Sequence, residues 1–138
     1  MRAVETLLVV LAVLSVQENA TSKGPIPGSP QKVSNNDPRV RNAMLIGIYA
    51  FNNQSNDKFL FKVSHIKDAH IQIVKGIKFL LEANISRTVC LKREPSPDLD
   101  KCNFQPLGKL HKIFNCHFEV WAIPWKHWMK NIFFMCHP

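Results

Sequence analysis

Acidic side chains are scarce in this chain. Ten Asp and Glu stand against eighteen Lys and Arg, a formal charge of +8, so a partner surface should be acidic rather than basic. The carboxyls are scattered, with no pair at the spacing general acid–base catalysis needs. Neither a phosphate-binding glycine loop nor a dinucleotide fingerprint occurs. An enzyme is not expected. Glycine is low, five residues in 138, which excludes a collagen, and 46% hydrophobic residues exclude a disordered tail or a coiled coil. The length suits one domain rather than two. Beyond the first twenty residues no run is long and apolar enough to span a bilayer, so membrane insertion is not expected. The basic residues are dispersed rather than gathered in blocks, the ordinary pattern of solvated strand faces, and no nucleic-acid partner is expected.

What is present begins with an export signal. A short start carrying Arg2 precedes a nearly unbroken apolar stretch from Leu7 to Val16, then the polar run Gln17-Glu18-Asn19. Such a core is too short to cross a bilayer and is read as a signal peptide over residues 1–20, cut between about 15 and 22. The expected location is extracellular, with endosomes and lysosomes as a second destination of the same route. In an oxidising compartment the four cysteines form an even set suited to two disulfides.

Residues 21–37 carry Gly24, Pro25, Pro27, Gly28 and Pro30 and read as an extended arm. The remainder, 38–138, reads as the folded domain. Asp37-Pro38 announces a helix, with Asp37 as cap and Pro38 in the first turn. Val40, Ala43, Met44, Gly47, Ile48 and Phe51 then recur at helical spacing until Asn52-Asn53. Gly47 costs about 1 kcal/mol against Ala in mid-helix, so a close approach to a sheet is its expected reason.

After the helix the period falls to two. Phe59, Phe61, Val63, Ala69, Ile71 and Ile73 share one strand face, with His65 and Lys67 interrupting as a bulge would. Ile77, Phe79, Leu81, Ala83, Ile85 and Val89 form the inward set of a second strand, and Val74-Lys75-Gly76 is the tight turn between the two. Residues 91–109 lose all periodicity. Phe114, Cys116, Phe118 and Val120 open a second hairpin, closed by Trp128, Lys130, Ile132, Phe134 and Cys136. The helical spacing of Trp121, Trp125 and Trp128 is overruled by Pro124, which makes Pro124-Trp125 the second tip. Cys116 and Cys136 have their midpoint one residue past that tip and should face each other across it. This leaves Cys90 with Cys102 around the irregular loop. The expected fold is α+β, one long amphipathic helix on an antiparallel sheet.

Asn53 and Asn84 begin glycosylation sequons, and a third at Asn19 lies near the cleavage point. Six histidines, among them His111, His117, His127 and His137, invite a metal, but the cysteines beside them are better used as disulfides. No metal and no cofactor is expected.

Gln72-Ile73-Val74-Lys75-Gly76, on the first predicted tip, resembles the Gln-x-Val-x-Gly signature of the cystatins, which inhibit papain-like cysteine proteases (cathepsins). Pro124-Trp125 on the second tip, four cysteines in the order of the secreted type 2 members, and Gly28 twelve residues before Val40 extend the resemblance over essentially the whole mature chain. It implies a curved sheet and reversible, tight-binding inhibition. The arm at Gly28 and the tips at Gln72, Ile73, Val74, Lys75, Gly76, Pro124 and Trp125 would form a wedge filling the protease cleft. Ile26 and Pro27 would face the non-primed subsites; Ile73, Val74 and Trp125 would bury apolar area on the primed side. Phe51-Asn52-Asn53 and Ser55 through Lys62 are most like a subtype whose additional cysteines link it into a dimer. This chain has only the four framework cysteines, so a monomer is expected. Ser55-Asn56-Asp57 resembles the loop with which some secreted members block legumain, an asparagine-directed protease, with Asn56 standing for the cleaved residue. The alternative function is a non-inhibitory, cationic binding or antimicrobial module on the same fold.

Overall fold

The computed structural model describes residues 28–95 and 98–138. The signal peptide expected over 1–20 and the arm residues Ile26 and Pro27 lie outside them. In chain order come β1 (Gln31–Lys32), α1 (Pro38–Gln54), β2 (Phe59–Val74), β3 (Gly76–Leu91), β4 (Ile113–Ile123) and β5 (Trp128–His137), with single 3-10 turns at Leu99–Lys101 and Pro124–Lys126. The strands form one antiparallel sheet whose spatial order repeats their sequence order, and α1 lies across it.

The helix starts as its sequence demands. The Asp37 carboxylate accepts from Arg39 N–H at 2.9 Å, and Pro38 takes a position that needs no donor. Its end lies at Gln54, beyond the expected Asn52-Asn53. Asn52 is buried and does not break the helix: its side chain donates to Phe61 O at 3.0 Å and accepts from Phe61 N–H at 2.9 Å, stitching α1 to β2. Val40, Ala43, Met44 and Ile48 face Phe61, Phe79, Leu81, Ile85, Phe118 and Val120 in one core. Gly47 sits where helix and sheet are closest; a Cβ there would stand 2.8 Å from Phe118 Cδ1.

The period of two holds through most of the sheet and slips at bulges. Register shifts occur on β2–β3 at Phe59/Phe61, Val63/His65 and Ile66/Asp68, the last two bracketing the predicted interruption. The first shift sets Arg87–Leu91 of β3 against Phe59–Phe61 of β2 and breaks the alternation beyond Arg87, which still lies opposite buried Phe61. Val89, expected inside, is 45% exposed, and Thr88 is fully buried with its hydroxyl donating to Leu60 O. A shift at Glu119/Val120 does the same to β5. There Met129 packs on the core with Phe134 and Cys136, while Trp128 and Ile132, of the same period-two set as Phe134 and Cys136, face out. Disulfides join Cys90 to Cys102 and Cys116 to Cys136; the second pair are direct cross-strand partners with Cα atoms 4.1 Å apart.

Candidate functional site

Antiparallel pairing in sequence order brings three irregular points to one end of the sheet. The β2–β3 turn at Lys75 lies there because Val74 pairs with Gly76, and the β4–β5 tip lies beside it because Ile77 pairs with Ala122 and Ile123 with Trp128. Gln31 pairs with Ile71, so the arm runs along β2 toward the same end, and Gln72 Nε2 donates to Gly28 O at 2.7 Å.

Each point has a local cause. Gly76 has φ +100°, and a Cβ there would meet Ala122 O at 2.3 Å, so only glycine lets this turn lie against β4. The Trp121 indole N–H donates to Lys75 O at 2.7 Å and fixes the turn from the neighbouring strand. Its ring meets Trp128 edge-to-face at 5.3 Å, bracing the base of the second tip. That tip is a 3-10 turn begun by Pro124 and closed by His127, which adopts φ 48° and donates its N–H to Pro124 O at 3.1 Å. Gly28 has φ +87° with open space around it.

Three large apolar side chains at this end face solvent. Trp125 is 65% exposed, Ile73 53% and Val74 41%. Ile73 shares the face of Ala69 and Ile71, as the alternation predicts, but among the described residues none covers it past the reach of α1. The role of Trp121 has no signal in sequence, because an outward tryptophan at a strand position does not show which carbonyl it will reach.

Asn56 lies at the other end of β2, exposed in the loop after α1. Its neighbours hold that loop. Asp57 N–H donates to Ser55 Oγ at 3.0 Å, Asp57 Oδ1 accepts from Phe59 N–H at 2.9 Å, and Asp57 Oδ2 pairs with Arg87 at 2.6 Å. Lys92 Nζ donates to Ser55 O. Asn53 is exposed on the last turn of α1, whereas Asn84 is half-buried on central β3 with its Oδ1 unpartnered.

Among the described residues no three His, Cys, Asp or Glu side chains converge on a metal position. His117 lies between two carboxylates instead, its Nδ1 toward Glu82 and its Nε2 2.9 Å from Glu119. Burial opposes its protonation, but the hydrogen bonds to Glu119 and Glu82 outweigh burial and raise its pKa. Glu119 is held below the usual range by His117, and by Lys78 at 3.0 Å, against the opposing effect of burial.

The cystatin domain family matches residues 28–125. The chain is 42% identical to cystatin-F of Homo sapiens over 111 residues, spanning 80% of this chain and 76% of that one. It is 31% identical to cystatin-C of Homo sapiens, spanning 91% and 88%. Among solved structures, dimeric human cystatin F superposes with a TM-score of 0.76 at 42% identity, covering 82% of this chain and 89% of that chain.

Proposed function

The chain belongs to the cystatin family, and from that premise we propose that it is a reversible, tight-binding inhibitor of papain-like cysteine proteases. One observation carries the reading: the apolar side chains of Ile73, Val74 and Trp125 project beside Gly28 at one end of the sheet, on turns fixed by Gln72, Trp121 and the Pro124–Lys126 turn. A wedge of that kind fills a cleft on both sides of a catalytic cysteine. Its backbone is already ordered, so little entropy is lost on docking, and Trp125 supplies the kind of anchor that dominates interface energies. Gly28 with positive φ lets the arm turn aside before a peptide bond reaches the attacking sulfur. The inhibitor therefore blocks without being a substrate and needs no metal or cofactor.

Two disulfides suit the secretory route that the signal peptide at 1–20 supplies, to the cell exterior or onward to endosomes and lysosomes. All four cysteines are consumed within the chain, which favours a monomer over a disulfide-linked dimer. Asn53 is the sequon better placed for a glycan; Asn84 lies within the sheet.

The deciding experiment is titration of papain with the purified mature protein. Stoichiometric, reversible loss of activity is expected. A folded protein without effect on papain or any cathepsin would leave the cationic binding module as the better account. A second inhibitory site for legumain at Asn56 is supported by the loop's hydrogen bonds, which hold that asparagine outward in a fixed geometry.

A further inference from the structure

The wedge end carries charge of one sign only. No acidic residue occurs from Ala69 to Leu81 or after Glu119. The carboxylates nearest that end are already engaged: Asp37 with Arg39 at 2.9 Å, Asp68 with Lys32 at 3.7 Å, Glu119 with Lys78 at 3.0 Å. Lys75 on the first tip, Lys126 on the second and Lys130 at the start of β5 join no ion pair among the described residues, and all three are exposed. Charges of both signs mix at the opposite end, where Lys92, Arg93, Glu94, Asp98, Asp100 and Lys101 follow β3. The three lysines therefore flank the apolar wedge as a cationic rim.

From this we infer that the wedge is matched to papain-like proteases whose cleft is rimmed by carboxylates, the lysines speeding encounter with that class above others. The inference rests on the inhibitory reading and adds the partner's charge to it. Rim charges act mainly on association: they steer diffusion while both partners are solvated, and they lose their effect once the Debye length falls to a few ångströms. The apolar contacts of Ile73, Val74 and Trp125 govern how long the complex lasts. A protease with a neutral or basic rim would still be inhibited, more slowly.

The test is stopped-flow association with a papain-like protease bearing carboxylates around its cleft, and with the same enzyme after those carboxylates are changed to amides. Raising sodium chloride from low to high concentration should slow the first association by about tenfold. The Lys75→Gln/Lys126→Gln/Lys130→Gln protein should start slow and show a flattened salt dependence. The amide protease should do the same with the unaltered protein. Equal salt slopes for both inhibitors, or for both enzymes, would overturn the cationic rim while leaving the inhibitory reading intact. If neither enzyme is inhibited at any salt concentration, the reading and the inference fall together.

Discussion

The Trp121 indole has one hydrogen to donate and gives it to Lys75 O. Trp121→Phe keeps a ring to meet Trp128 and removes only that donor. Water can reach the freed carbonyl, so stability should change by less than about 1 kcal/mol. The turn it fixed should loosen, with inhibition weakened severalfold through faster dissociation and faster amide exchange at Gly76. Unchanged exchange there would show that the turn stands without Trp121. Trp125→Ala is the harsher change and should cost about 2 kcal/mol or more of protease binding with the melting temperature intact. Gly47 gives a prediction whose sign runs against helix propensity. Alanine is better in a mid-helix by about 1 kcal/mol, yet its Cβ would press on Phe118, which is fully buried and has no room to retreat. Overpacking of this kind typically costs about 1 to 3 kcal/mol, so Gly47→Ala should lower the urea midpoint. A raised midpoint would mean that the ring yields.

Elements were legible in sequence where their signal is local. The capped start of α1, the change of period after it, the glycine turn and the Pro124 tip are each written in consecutive residues. What sequence did not show is set by the neighbouring strand. The face reversals at Thr88/Val89 and near Ile132 come from bulges whose extra residue is defined only by what lies opposite it, and the Trp121–Lys75 bond joins positions 46 residues apart. The β3–β4 pair also gives the sheet a dependence on pH. His117 stands between Glu82 and Glu119 and has a raised pKa, so its contribution is complete below its unfolded value near 6.5 and is lost as pH rises through the folded value. The lowered pKa of Glu119 contributes above its unfolded value near 4.3 and is lost as pH falls through the folded one. The cluster should therefore stabilise most between roughly pH 4.3 and 6.5. Urea unfolding of the protein against His117→Gln should show a gap widest in that window and closing toward alkaline pH. A gap independent of pH would place the effect in packing rather than charge.

At the scale of the molecule, the two proposed inhibitory surfaces are separated by the length of β2. Sixteen residues rising about 3.3 Å each put the Asn56 loop and the Lys75 turn on the order of 50 Å apart at most, shortened by the bulges. β2 is held along its whole length by β3, and among the described residues the loop's hydrogen bonds run to Phe59, Arg87 and Lys92, away from the wedge end. Occupying one surface should leave the other as it was. Asn56→Ala should then abolish legumain inhibition without altering the inhibition of papain, and Trp125→Ala should weaken papain binding without altering the inhibition of legumain. A mixture of all three proteins should elute as one ternary complex on size exclusion. Asn53 lies three residues from Asn56 on the last turn of the helix, close enough for a glycan to cover the loop, so enzymatic deglycosylation should improve legumain inhibition and leave papain unaffected. The independence would be lost if saturating papain weakened legumain binding, and Ser55–Asp57 would be only the turn that ends α1 if neither glycoform slowed legumain.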